Sequence, residues 1–178
     1  MKKLTVGIFG AKGRMGQSLI QTSIQPEFNN IHIACTVDRD QSQEDLLRCD
    51  VIIEFSSPTA AAELSKKISQ SDHHPLPALI VGSTGWTDEQ KKTLSVLASK
   101  TPVLMSSNFS FGVFLLQKAI RAIGPLSISL NYSFSIDETH HVHKKDSPSG
   151  TAILLEKTIS EFCSKKTPIQ SHRTGEVI

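Results

Sequence analysis

The sequence predicts an α/β protein: a doubly wound, mostly parallel sheet followed by a smaller α+β unit that stops short. Three observations carry this. Short apolar runs alternate with stretches of helical periodicity through the first half of the chain, the pattern of parallel strands joined by crossover helices. A glycine-rich turn, Gly10-Ala11-Lys12-Gly13-Arg14-Met15-Gly16, follows the first of those runs. Beyond Leu126 the text changes to polar–apolar alternation from Ser127 to Ile136, the mark of a half-buried and often antiparallel strand. Ser106-Ser107-Asn108 breaks the apolar pattern, so the expected domains are 1–107 and 108–178.

Each element has its own signal. Leu4 to Phe9 is a buried strand stopped by the glycine turn. After Gly16, Leu19, Ile20 and Ile24 share a helical face, and Pro26 ends the segment. Ile31 to Val37 is a second strand closing on Asp38, and Gln43 to Arg48 has room for a helical turn or two. Val51 to Phe55 is a third strand, with Pro58 at the start of a helix running to Gln70. Ala78 to Val81 is a strand entering the turn Gly82-Ser83-Thr84-Gly85, and Thr87 caps a helix through Ser99. Pro102 to Met105 is the next strand, and the helix from Phe111 is expected to end at Gly124-Pro125. Ser149-Gly150-Thr151 starts an amphipathic helix to about Phe162, and Arg173 to Ile178 resembles the opening of a strand.

Composition narrows the function. The 178 residues carry 19 Lys+Arg against 17 Asp+Glu, a net charge of +2, with enough apolar runs to exclude disorder as the main state. No basic stripe interleaved with aromatics is visible, so no nucleic-acid partner is expected. The longest uninterrupted apolar runs fall far short of the ~20 residues of a bilayer span, so no membrane partner is expected either. Gly10, Lys12 and Gly13 interrupt the N-terminus before a signal-peptide core can form. Cys35, Cys49 and Cys163 are odd in number, far apart in sequence and without a C-x-x-C pair. They read as reduced thiols of a cytoplasmic protein rather than a disulfide framework or thiolate metal site.

The glycine turn opens the first helix directly after a strand. Glycines let backbone approach a pyrophosphate, and a helix start offers free N–H groups and the positive end of its dipole. Asp38 lies 22 residues past Gly16, at the end of the second strand, where an acid accepts ribose hydroxyls. Arg39 beside it can stack on adenine or pair with a 2′-phosphate, so both NADH and NADPH are expected cofactors. This is a Rossmann-like reading.

The second chemical stretch runs Glu138-Thr139-His140-His141-Val142-His143-Lys144-Lys145-Asp146-Ser147-Pro148-Ser149-Gly150-Thr151-Ala152. Its helix start is a seat for a carboxylate, for the same dipole reason. A histidine metal site and a merely solvated basic loop compete with that reading. No metal is expected, because neighbouring histidines on an extended strand point to opposite faces and no cysteine is near.

These segments, with Gly82-Ser83-Thr84-Gly85 and Asn108-Phe109-Ser110, resemble the 4-hydroxy-tetrahydrodipicolinate reductase family, formerly dihydrodipicolinate reductases, from residue 4 to the end of the chain. The resemblance implies NADH- or NADPH-dependent reduction of a cyclic imine bearing two carboxylates, in lysine and diaminopimelate biosynthesis. It implies that Gly10, Ala11, Lys12, Gly13, Arg14 and Met15 hold the pyrophosphate, and Asp38 and Arg39 the adenosine end. Gly82, Ser83 and Thr84 would lie along the nicotinamide ribose, and Ser106, Ser107, Asn108 and Phe109 would form the hinge facing the cofactor. His140 would be the acid/base, Lys144 the proton donor, and His141, Gly150 and Thr151 the substrate contacts. It also implies a homotetramer assembled through the second domain's sheet.

Three features depart from the family pattern. Val142 stands where the family often has Arg, Ser83 where it usually has Thr, and Ser106-Ser107 where Ala or Pro precedes the Asn. Two rival readings stay open: another small-molecule dehydrogenase on the same fold, and a dinucleotide-binding module without catalysis.

Overall fold

The structure is a computed structural model that describes residues 3–38, 41–144 and 146–176. It divides into two compact units, Met1–Ser106 and Ser107–Ile178.

The first unit is a five-stranded parallel sheet in the order β2-β1-β3-β4-β5. Its strands are β1 (Leu4–Phe9), β2 (Ile31–Val37), β3 (Val51–Glu54), β4 (Ala78–Val81) and β5 (Val103–Met105). Between them run α1 (Arg14–Ser23), α2 (Pro58–Gln70) and α3 (Asp88–Ala98), with 3₁₀ turns at Pro26–Phe28 and Glu44–Arg48. Helices cover both faces. On one, Leu19 and Ile20 of α1 pack against Val6, Ile8, Ile31 and Ile33. On the other, Ala61, Leu64 and Ile68 of α2 and Leu94 and Leu97 of α3 pack against Phe9, Ile52, Leu79 and Val81. Each Leu, Ile, Val or Phe side chain among them that is taken fully from water contributes about 1.5–3 kcal/mol.

Local signals set the helix starts. Ser57 accepts from the Ala60 N–H just before Pro58, and Thr87 and Gln90 exchange both bonds of a capping box. The strand order reverses at β1, whose neighbours β2 and β3 lead away in opposite directions, which opens a crevice at the carboxyl ends of β1 and β3.

The second unit contains α4 (Phe111–Ser129), β6 (Ile136–His140), α5 (Gly150–Ser160) and β7 (Ile169–Arg173). Three expectations are corrected here. The helix α4 does not stop at Gly124-Pro125 but continues to Ser129 with Pro125 inside it. Gly124 serves packing rather than termination: a Cβ there would stand 2.2 Å from the Phe162 ring. The helix ends instead at Asn131, left-handed at φ 61°, where Tyr132 N–H donates to Ser127 C=O and Asn131 N–H to Ile128 C=O. That pair of bonds is a Schellman cap with Asn in the glycine position.

The alternating text from Ser127 therefore belongs partly to a helix end, and the strand occupies only Ile136–His140. Its partner β7 is parallel to it, not antiparallel, because α5 supplies the crossover. Finally, β7 spans Ile169–Arg173, so Arg173 ends a strand and the chain turns at Thr174 and Gly175; Val177 and Ile178 lie outside the described residues.

By length and composition α4 is also apolar enough to cross a bilayer, which its interruption by Gln117, Lys118 and Arg121 concealed in the sequence. Those polar residues have partners in this unit: Gln117 Nε2 donates to Thr158 Oγ1 at 2.8 Å, and Arg121 forms a fork with Glu161 at 2.8 Å.

Candidate functional site

In each unit, the residues singled out by sequence gather at the carboxyl ends of parallel strands.

In the first unit, β1 ends in Gly10 at φ +88°, a conformation that side chains rarely adopt. A Cβ on Gly10 would also lie 2.6 Å from the Phe55 carbonyl oxygen, and one on Gly16 would lie 2.4 Å from the Gly10 carbonyl oxygen. The first glycine thus lets β1 turn beside β3, and the third lets α1 pack back on the turn. Gly10 N–H donates to Val37 C=O at 2.9 Å, and Lys12 N–H donates to Asp38 Oδ2 at 2.8 Å. Gly13 caps α1 with no side-chain bond, and the first turn holds no acidic residue. The helix start therefore keeps its N–H groups for an anion. Phe9, Gly10, Gly13, Asp38 and Ser56 line a cleft of about 150 Å³ there. Backbone donors, a cradle that any Cβ would fill, and a strand-end carboxylate fit the pyrophosphate and ribose of a dinucleotide. Ala11 is buried; Lys12, Arg14 and Met15 are exposed on the turn. Arg39 lies outside the described residues.

Gly82, Ser83 and Thr84 follow β4 at the same edge of the sheet. A Cβ on Gly82 would stand 2.1 Å from the Phe55 ring, so only glycine lets that ring lie across the turn. Thr84 is exposed, whereas Ser83 is buried and donates its hydroxyl to Glu54 Oε2 at 2.7 Å. Glu54, with no exposed surface, also accepts the Ser56 hydroxyl at 2.7 Å and the Ser56 N–H. One buried carboxylate thus ties the β3–α2 turn to the β4–α3 turn. Sequence reasoning passed over Glu54. Its signal was an acid inside the apolar run Val51-Ile52-Ile53-Glu54-Phe55, which a buried strand does not carry without partners. Ser106 closes the unit, its N–H donating to Val81 C=O at 3.2 Å.

In the second unit the organising group is Glu138, on β6, likewise passed over. Its Oε1 accepts Ser149 N–H at 2.9 Å and the Ser171 hydroxyl at 2.8 Å; its Oε2 stands 3.4 Å from His140 Nε2. Arg173 Nη2 is 3.6 Å from Oε1. Burial pushes the Glu138 carboxyl up, but the Ser149 and Ser171 hydrogen bonds and the neighbouring His140 outweigh it and hold the group at about 2. The carboxylate is therefore charged, and it pins the end of the histidine strand to the start of α5.

The other residues collect around that junction. His140 and Lys144 are partly buried, and Lys144 Nζ bonds Asp146 Oδ1 at 2.8 Å. Burial raises the Asp146 carboxyl, but Lys144 and the Gly150 N–H draw it below its ordinary value. An anion thus already rests on the lysine and the helix start. Asn108 Nδ2 donates to Thr151 Oγ1 at 2.7 Å, and Gly150 lies against Ser107, which a Cβ would approach to 3.2 Å. Phe109 and Val142 are exposed, and the His141 and His143 rings lie 6.1 Å apart between centroids, tilted by 45°. Among the described residues, no group of three or more His, Cys, Asp or Glu could hold a metal ion.

Comparison with known proteins gives the family and the fold. Residues 4–109 match the family model for the N-terminus of dihydrodipicolinate reductase, and residues 112–178 match that for its C-terminus. The chain is 35% identical over 169 residues to the 4-hydroxy-tetrahydrodipicolinate reductase of Bdellovibrio bacteriovorus, covering 94% of this chain and 70% of that one. It is 36% identical over 172 residues to the enzyme of that name from a Sulfurovum species, covering 90% of this chain and 64% of that one. The chain thus spans about two thirds of the length of the curated relatives it matches. Among solved structures it shares the fold of a dipicolinate-bound dihydrodipicolinate reductase from Paenisporosarcina sp. TG-14, with a TM-score of 0.71 at 23% identity over 96% of this chain and 78% of that one.

Proposed function

This chain belongs to the dihydrodipicolinate reductase family, and from that premise we propose that it reduces 4-hydroxy-tetrahydrodipicolinate to tetrahydrodipicolinate with NADH or NADPH, in lysine and diaminopimelate biosynthesis. The observation that carries the reading is the convergence on Glu138. One ionised carboxylate accepts the Ser149 N–H that precedes α5, and its other oxygen stands 3.4 Å from the His140 imidazole. An imidazole ring and a helix start suited to a carboxylate are thereby held together.

In this reading residues 1–107 bind the dinucleotide and residues 108–178 bind the substrate. Gly10, Ala11, Lys12, Gly13, Arg14 and Met15 form the turn that takes the pyrophosphate, the first N–H groups of α1 serving as donors while those of Gly10 to Gly13 hold the turn itself, and Asp38 and Arg39 take the adenosine ribose. Gly82, Ser83 and Thr84, and Ser106, Ser107, Asn108 and Phe109, position the nicotinamide end. When bound, the reduced nicotinamide supplies the hydride. Lys144 and the N–H groups at Gly150 and Thr151 receive a substrate carboxylate, taking the place that the Asp146 carboxylate now fills. Charge-assisted bonds of that kind are about twice as strong as neutral ones. His141 contacts the ring. Lys144 delivers a proton as charge develops on the substrate, and His140 holds or returns one, the acid–base work to which imidazole is suited. The protein is proposed to be cytoplasmic and homo-oligomeric.

The test is a coupled assay: the purified chain, NADH or NADPH, and substrate freshly made by a condensing synthase, with loss of nicotinamide absorbance followed in time. Turnover that falls by about 10²-fold or more in His140→Ala and in Lys144→Ala, with cofactor affinity unchanged, supports the proposal. Tight cofactor binding without turnover of this substrate overturns it in favour of the binding module. Asp38→Ala is expected to weaken NADH more than NADPH; equal weakening removes the ribose role.

A further inference from the structure

Cys35 and Cys49 are 14 residues apart in sequence, and their sulfurs lie 3.7 Å apart. Three features of the fold bring them together. The pairing of β1 with β2 slips between Val6 and Gly7, so that Gly7 pairs with Cys35 and Ala34 is passed over. That extra residue turns Cys35 away from the face of Ile31 and Ile33 and onto the face of Val37. The 3₁₀ turn Glu44–Arg48 then delivers Cys49, whose N–H donates to Leu46 C=O at 3.1 Å. Finally, Gly7 leaves the space beneath: a Cβ there would meet Cys49 Sγ at 3.1 Å and Cys35 Sγ at 3.2 Å. The third thiol, Cys163, belongs to the second unit and bonds locally to the Lys165 carbonyl at 3.5 Å. None of the three enters the proposed reaction.

We infer that Cys35 and Cys49 are an oxidisable pair, converted by a hydroperoxide into an intrachain disulfide that fastens β2 to the turn before β3. The stoichiometry is two thiols plus ROOH giving one disulfide, ROH and water. The Cys35 sulfur, the more exposed of the two, attacks the peroxide oxygen as thiolate, breaking the O–O bond; ROH leaves and Cys35 becomes a sulfenic acid. The Cys49 sulfur then attacks that sulfur, the S–S bond forms, and the sulfenic oxygen departs as water with the thiol proton. The sulfurs have only about 1.7 Å to close from 3.7 Å to bonding distance.

The fold also sets the tempo. Burial pushes both thiols up, Cys49 to about 12, helped by its neighbour Cys35 and nearby acids. Few thiolates are present at neutral pH, so the pair reacts slowly with peroxide. Once the first sulfur is oxidised, its partner in van der Waals contact captures it before a second oxidation.

The experiment uses the folded full chain and its Cys163→Ser variant, incubated with hydrogen peroxide, quenched, denatured without reductant, alkylated and weighed. The expected result is a loss of about 2 Da with no alkylation of Cys35 or Cys49, one cross-linked peptide pair, reversal by dithiothreitol, and a Tm higher by several degrees in the oxidised form. Cys35→Ser is expected to leave Cys49 alkylatable after the same treatment. Two alkylatable thiols that persist through an exposure many times longer than fully oxidises a free dithiol peptide would overturn the inference. So would sulfinic acid at Cys35, or disulfides only between chains. None of these readouts involves cofactor or turnover, so the outcome is separable from that of the enzymatic proposal.

Discussion

Glu54 Oε2 accepts the Ser83 hydroxyl at 2.7 Å inside the sheet's edge, where the carboxylate has no exposed surface. Its other oxygen takes two bonds from Ser56, so both oxygens face donors. Glu54→Gln turns one acceptor into a donor pointed at donors, leaving a buried polar group unpaired at a cost of about 1–3 kcal/mol. Urea unfolding is expected to register that loss, and dinucleotide affinity to fall with it, because the turns at Ser56 and Ser83 lose their common tie. Unchanged stability together with unchanged affinity would show the tie to be idle.

Glu138 sets an acid limit. Its carboxyl is depressed from 4.5 to about 2, so the charged form is favoured more in the folded chain than in the unfolded one. A depressed group contributes its full stability above its unfolded pKa and loses it as pH falls through the folded one. Across the window from 4.5 down to about 2 the chain is expected to lose about 3 kcal/mol from this group alone. Denaturant midpoints of wild type and Glu138→Gln should differ at pH 7 and converge by pH 2. A constant difference across that range would contradict the account.

Gly16→Ala places a Cβ 2.4 Å from the Gly10 carbonyl and 2.7 Å from Ala11 Cα, both backbone atoms that cannot step aside cheaply. The helix α1 must back away from the turn. Dinucleotide binding, read by quenching of intrinsic Trp86 fluorescence or by calorimetry, is expected to weaken at least 10-fold, while Gly85→Ser, with nothing near its Cβ, costs only its backbone strain. Equal binding by wild type and Gly16→Ala would refute the cradle.

Asn131→Gly is expected to stabilise the chain, and Asn131→Ala to destabilise it, each by up to about 1 kcal/mol. Asn131 sits at φ 61°, where glycine is relaxed and alanine strained. Thermal unfolding of the two variants decides it; the opposite order would mean that the cap is not what ends α4.

Much of this was legible in the sequence because it depends on neighbours in the chain. Strand, glycine turn and helix from Leu4 to Ser23, Pro58 at the head of α2, and the Thr87–Gln90 box all follow from local chemistry. What stayed hidden depends on partners distant in sequence. Gly124 looks like a stop until Phe162 is seen lying on it, and β6 looks antiparallel until α5 carries the chain back beside it. The same holds for the site. Histidines, lysine and glycines announce themselves, whereas Glu54 and Glu138 gain their meaning from Ser83 and Ser171, each about thirty residues away.

The bond from Lys12 N–H to Asp38 Oδ2 has a kinetic consequence. It ties the glycine turn to the end of β2, so part of the ordering that binding would otherwise have to impose is already in place. Ligands that share a pyrophosphate should then arrive at similar speed. Preference among them is written in residence time, in how long each holds on before letting go.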